Sequence, residues 1–290
     1  MSDRPPLSAL ALVLGGIVSV QFGAAIAVTL IPMIGVGGSV FMRLVFATAF
    51  LLLVARPTLR GHSRAAWGWV LAFGLALGFM NWSFYGALSH LPIGVAVTVE
   101  FCGPLILAAV LSKRPRDFIA VAAALVGVVL ISEALQVPLA DLSWLGLLLA
   151  ATAGALWAAY IVTSGKVGAS FPKLDGLALA MVVAGLVVLP AGIVTVPTWT
   201  TPELIKGFGI ALLSSVVPYS LELMALRRLS AQIFGILLSL EPAVAALAGL
   251  LILGQRLSAW QLAGMGLVVA ASVIVLGLGA GRTPVVEETP

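Results

Sequence analysis

Between residues 7 and 279 the chain is a succession of apolar runs, separated by short turns that hold most of its charges, prolines and clustered glycines. Each run is close to the ~20 residues that an α-helix needs to cross a bilayer. Inside hydrocarbon the backbone must satisfy its own hydrogen bonds, and a helix does so within one segment. Composition closes the alternative of a water-soluble domain. Of 290 residues, 61% are hydrophobic and only 9% are charged, whereas soluble domains carry about a quarter charged residues. Too few polar side chains remain to cover a wetted surface. The chain is expected to be an all-α polytopic membrane protein.

Cutting the sequence at its charges, prolines and glycine clusters gives ten spans, at 8–30, 37–55, 66–88, 92–111, 117–132, 142–164, 175–196, 204–226, 231–253 and 258–279. The turns between them are short, so no aqueous domain is expected. The first run, Leu7 to Leu30, is long enough to span and holds no clear cleavage site, so it reads as a span rather than a signal peptide. Orientation follows from the Lys and Arg bias of short loops. With the N-terminus in the cytoplasm, the inner segments hold twelve basic residues: Arg4, Arg56, Arg60, Arg64, Lys113, Arg114, Arg116, Lys166, Lys173, Arg227, Arg228 and Arg282. The outer loops hold two, Lys206 and Arg256. Both termini are expected in the cytoplasm.

The halves of the chain resemble each other in layout. Pro92 and the proline of EFCGP104 fall 138 residues before Ser230 and the proline of LSLEP242. Each stretch opens a span after a short turn, places a glutamate and a proline near its middle, and is followed by one more apolar span. The expected division is a first five-helix repeat at 1–134, a second at 141–279 and a cytoplasmic tail at 280–290. Five is odd, so a tandem duplicate must insert upside down. Inverted repeats around a central cavity are the architecture of many secondary transporters, with the solute near the midplane.

An ionisable group at membrane depth is costly unless paired or hydrated, so it tends to line a cavity or pathway. Glu100 lies near the middle of the fourth span, in VTVEFCGPL, and Glu241 near the middle of the ninth. Pro104 frees the carbonyl of Glu100 from its helix partner, which suggests a polar notch for a cation or ammonium group; Glu241 beside Pro242 repeats the device. The plainer alternative for either acid is a structural ion pair, or a protonated acid bonded to a carbonyl. Arg43, in the second span, is suited either to a solute carboxylate held in two hydrogen bonds or to neutralising one of those acids. Glu222, one turn from Arg227 and Arg228, reads as an interface residue. Gln21, Asn81, Tyr85, Trp157, Tyr160, Tyr219, Ser220 and Ser239 lie at similar depth.

Other chemistry is missing from the sequence. There is no phosphate-binding GxxxxGK[ST] loop, no HExxH pair and no GxSxG elbow. The two histidines, His62 and His90, fall in turns, and the single Cys102 forms no intrachain disulfide or cysteine metal cluster. The chain is therefore expected to be no enzyme, to need no cofactor or metal, and to bind no nucleic acid. Its expected partners are the lipid bilayer and a small-molecule solute, with protons as a candidate coupling ion.

The stretches SVQFGAAIA, VEFCGPL, SKRPRDF, VPYSLELMAL and FGILLSLEPAVAALAGLLILGQ resemble the EamA branch of the drug/metabolite transporter superfamily, over about residues 8 to 279. Within that branch the likeness is to bacterial inner-membrane threonine/homoserine exporters. The resemblance implies ten helices in two inverted repeats, a central cavity, and amino-acid efflux across the inner membrane by alternating access. One departure is Gln255 in LGQ, where the family often carries LGE. Glu100 or Glu241, with Arg43, Gln21 and Asn81, would then hold the two ends of a zwitterion. An exporter of another solute, such as an aromatic amino acid or a drug-like cation, is the alternative.

Overall fold

The computed structural model describes residues 7–138, 142–253 and 257–277, and among these every regular element is a helix. Arg4, Arg256, Arg282, Gln255 and the tail at 280–290 lie outside the described residues. In chain order the helices are α1 (Leu7–Ala55), α2 (Arg64–Leu88), α3 (Ile93–Leu111), α4 (Pro115–Ser132), α5 (Trp144–Ser170), α6 (Asp175–Gly192), α7 (Thr201–Ala211), α8 (Val217–Leu226), α9 (Ala231–Leu238), α10 (Glu241–Leu253) and α11 (Ala259–Gly277).

Nine helical stretches among the described residues are long and apolar enough to cross a membrane, against the ten expected. The difference is the ninth expected span, which consists of two shorter helices, α9 and α10, interrupted at Ser239–Leu240. The first two expected spans run together as α1, whose two arms meet at Gly35. There φ is 71° and ψ 172°, a conformation open to glycine and strained for any other residue. Pro32, by contrast, stays inside the first arm.

Local sequence explains several boundaries. The hydroxyls of Ser63 and Ser143 accept hydrogen bonds from the N–H groups of Ala66 and Gly146, at 3.1 and 3.3 Å, and so start α2 and α5. Pro115 occupies the first turn of α4, where no intrahelical N–H is needed. Between α7 and α8 the chain passes through one wide π turn, Leu212–Val216, in which the Val217 N–H reaches back to the Leu212 carbonyl. Pro218 has no N–H to continue that pattern, which leaves the Leu213 carbonyl without a helical donor. Ser19 of α1 supplies one from outside, its hydroxyl donating at 2.7 Å. The irregularity is thus sewn to the neighbouring helix.

The helices cross closely at glycines. A side chain on Gly103 would overlap the carbonyl of Gly154, and one on Gly154 would meet the carbonyl of Glu100, so α3 and α5 touch backbone to backbone. Gly127 and Gly264 do the same for α4 and α11. Gly235 of α9 lies against the carbonyl of Pro104, so α3 and α9 cross near the middle of each. Such contacts are how helices associate where lipid removes the hydrophobic advantage of burial. The outward faces carry exposed aliphatic side chains, among them Leu53, Leu71, Ile106, Val110, Leu148, Leu186, Val269 and Val273. In water that surface would be an aggregation liability; in lipid it is the proper solvent-facing side.

Candidate functional site

The kinked α1, the second half of α2, the middle of α3, α5 and α8, and the start of α10 surround one cavity of about 230 Å³. Helical spacing selects the side chains that face it. From α1 come Val20, Ala24 and Ala27, which share one face of the first arm, and Arg43 from the second; from α2 come Met80, Asn81, Phe84 and Tyr85. The rest of the wall is Glu100, Trp157, Tyr160, Ser214, Tyr219, Glu222 and Glu241. Eight residues singled out in the sequence therefore meet around one space: Glu100, Glu241, Arg43, Asn81, Tyr85, Trp157, Tyr160 and Tyr219. Gln21 is not among the residues of that wall and lies about a quarter of a turn from the Val20–Ala24–Ala27 face. Ser239 is fully buried at the α9–α10 break, where its hydroxyl donates to the Ile236 carbonyl at 2.6 Å, and Ser220 is buried without a side-chain partner.

Glu222 corrects the sequence reading. It does not reach for the interface with Arg227. It lines the cavity and accepts a hydrogen bond from the Tyr160 hydroxyl at 2.6 Å. Five helical positions separate Glu222 from Arg227, which puts them roughly 140° apart around α8. Tyr219 is three positions from Glu222 and shares its face. That i,i+3 pairing with a membrane-depth tyrosine was the available signal.

The expected notch at Glu100 also takes a different form. Pro104 does free the Glu100 carbonyl, but the oxygen packs against Gly154 of α5 rather than standing open to a ligand. The carboxyl itself belongs to the cavity wall, on a residue only 8% exposed. Glu241 opens α10 immediately after the helix break. It therefore sits at the positive end of that helix's dipole, which favours a negative group there. Glu241 lines the same cavity as Glu100 and Glu222. Three carboxyls thus share one low-dielectric space.

The one cation in the wall, Arg43, answers none of them directly. Among the described residues no carboxylate lies within ion-pair distance of its guanidinium. Its Nη2 donates to the Asn81 side-chain oxygen, its Nε is buried with no partner, and its centre lies 5.9 Å from the Tyr85 ring. Asn81 is in turn fixed by donating to the Leu77 carbonyl at 2.8 Å. Tyr219 lines the same cavity as Arg43 and Glu222. Aromatic rings pack behind the polar groups: Tyr160 lies 5.3 Å from Phe73 and 5.8 Å from Tyr219, and Phe101 lies 4.8 Å from Trp157. The result is a chamber of mixed polar and apolar lining, with a spare donor at Arg43 and acceptors at the glutamates. A solute with both an anionic and a cationic group would satisfy both ends.

Comparison with known proteins gives consistent relatives. Residues 144–277 match the EamA-like transporter family. The chain is 36% identical to the threonine/homoserine exporter RhtA of Escherichia coli (strain K12) over 258 residues, 88% of this chain and 86% of that protein. It is equally similar to RhtA of Salmonella typhimurium (strain LT2), at 36% over 257 residues. Protein PecM of Dickeya dadantii (strain 3937) is 31% identical over 69% of this chain and 70% of its own length. One protein of known crystal structure superposes with a TM-score of 0.72 at 19% identity, over 94% of this chain and 97% of that one. At that identity the match speaks for the fold alone.

Proposed function

Because the chain belongs to the EamA-like transporter family, we propose that it exports small amino acids, threonine and homoserine first, across the bacterial inner membrane. It is a multi-pass membrane transporter and not an enzyme. The proposed architecture is ten spans in two inverted five-helix halves, 1–134 and 141–279, with α9 and α10 together serving as the ninth span. The family match at 144–277 covers the second of these halves. The twelve-to-two bias of basic residues supports a cytoplasmic location for both termini.

The observation that carries the reading is the separation of charge in one cavity. Arg43 offers a buried Nε with no partner, and Glu100, Glu222 and Glu241 offer carboxyls with no ion-pair partner among the described residues. An amino-acid zwitterion needs one of each. Its carboxylate would go to Arg43 and Asn81, and its ammonium group to Glu100 or Glu241. That leaves at least one carboxyl over, free to exchange a proton as the cavity faces each side in turn. Alternating access around a fixed midplane site is how such a cavity moves solute without ever opening to both sides.

A second reading draws on a different observation. Five aromatic side chains, Phe84, Tyr85, Trp157, Tyr160 and Tyr219, line the same space, which suits an aromatic amino acid or a flat organic cation. A counterflow screen separates the two. In proteoliposomes preloaded with each common amino acid in turn, threonine and homoserine are expected to drive uptake of labelled threonine most strongly. Uptake driven only by phenylalanine, tyrosine or tryptophan would replace the first reading by the second.

A further inference from the structure

The residues that hold the guanidinium end of the central cavity are also its wall on one side. Asn81 and Tyr85 line that cavity and, equally, a second one of about 250 Å³. The second cavity lies between the arm of α1 that follows Gly35, the end of α2 and the end of α6, against Val40, Trp82, Val188 and Ala191. It reaches the end of the bundle where α1 bends and α2 stops, beside the exposed Ser89.

The opposite end of the bundle is tied shut. There Arg227 donates to the carbonyls of Gly168 at 2.8 Å, of Phe171 at 3.0 Å and of Lys173. His62 stacks on Phe171 with ring centres 4.1 Å apart. The Thr58 N–H donates to the buried Asp175 carboxylate at 3.4 Å. Three turns, after α1, α5 and α8, are joined by these contacts. One end of the molecule is laced and the other is hollow.

We propose that the second cavity is the vestibule through which the solute leaves the central cavity, and that Asn81 and Tyr85 form the partition between them. Both partition residues are held by Arg43, one by a hydrogen bond and the other by its ring lying under the guanidinium. A solute carboxylate that takes Arg43 in two hydrogen bonds competes with Asn81 for the same Nη2 donor. Binding therefore loosens the partition, and an empty cavity keeps it closed. The largely apolar vestibule wall, Val40, Trp82, Val188 and Ala191, then receives the departing side chain while Ser89 offers a hydrogen bond at the mouth. This inference rests on the central cavity being the solute site, so its test reads accessibility, which needs no solute.

The test uses the full chain with Cys102→Ala as background and Ala27→Cys as a reporter in the central cavity wall. A small membrane-impermeant thiol reagent is added outside intact cells. Tyr85→Ala is expected to raise the labelling rate of the reporter at least fivefold, with Asn81→Ala as the second partition variant if the first inserts poorly. Tyr85→Phe, which keeps the ring, is expected to leave the rate unchanged. Adding Ala191→Trp to either alanine variant is expected to return labelling to the starting rate by filling the vestibule. Unchanged labelling in both alanine variants overturns the partition. Fast labelling that persists with Ala191→Trp overturns the vestibule. If labelling behaves as expected while threonine is not transported, the path stands and the substrate assignment fails.

Discussion

At the scale of single residues, the cavity is a problem of unequal numbers: three carboxyls face one guanidinium. Which carboxyl does what is open to a direct test. Glu100→Gln keeps the shape and the hydrogen-bonding capacity of the side chain, so the folded protein is expected to survive in the membrane. Threonine counterflow is expected to fall at least tenfold, about 1.4 kcal/mol of lost interaction. A proton-carrying Glu100 predicts that wild-type net efflux changes steeply with pH while the variant retains pH-insensitive exchange. A binding role predicts weaker apparent affinity and an unaltered pH profile. Wild-type rates from a well-folded variant would make Glu100 part of the scaffold. Sequence alone led to Glu100, Glu241 and Arg43 because charge inside an apolar run is conspicuous. It misjudged Glu222 because nearness along the chain to Arg227 was weighed above helical phase, and phase decides which way a side chain points. Gln21, expected at the site, is set apart by helical phase from the Val20–Ala24–Ala27 face that lines this cavity.

At the scale of elements, prolines mark the irregular places without saying what form they take. Pro104 sits in a continuous α3, whereas Pro242 follows a break between α9 and α10. Gly103 before Pro104 has no Cβ for the proline ring to press on, while Glu241 before Pro242 does. Yet Pro32 and Pro190 also remain inside helices, so the local pair does not decide the outcome; the neighbouring helix does, by what it offers the freed carbonyl. For Leu213 the offer is Ser19. For Glu100 it is the close face of α5 at Gly154. That crossing yields an element-level prediction. Gly154→Val forces a branched side chain into the Glu100 carbonyl, with no far end of a flexible chain to give way. Thermal unfolding in detergent is expected to show a loss of about 1–3 kcal/mol or more, and Gly165→Val, which meets open space on the same helix, to show none of that overlap penalty. Equal effects from the two would mean that the helix propensity of α5, not the crossing, is what glycine serves.

At the scale of the whole molecule, the all-helical membrane class was legible from composition and run length, since so apolar a chain has few other ways to satisfy its backbone. The count of unbroken spans was not, because two short helices can stand where one long run is written. Orientation remains a matter of charge, and it is testable on the exposed surface. In a Cys102→Ala background, Met33→Cys just before the Gly35 bend and Leu59→Cys just after α1 are both at exposed positions, 51% and 63% accessible, and flank the second span at its two ends. Impermeant reagent is expected to label Met33→Cys from outside the cell and Leu59→Cys only after access to the cytoplasm. The reverse pattern would invert the proposed topology and, with it, the direction of the vestibule. The glycine crossings have a further consequence on the timescale of lineages. No glycine of the crossings is among the side chains that line the central cavity. A descendant can exchange Met80, Phe84 or Trp157 and alter what the chamber accepts while every helix still meets its neighbour at the same backbone contact. Cargo can therefore drift while the frame is inherited almost untouched, and kinship among such proteins is a firmer guide to shape than to diet.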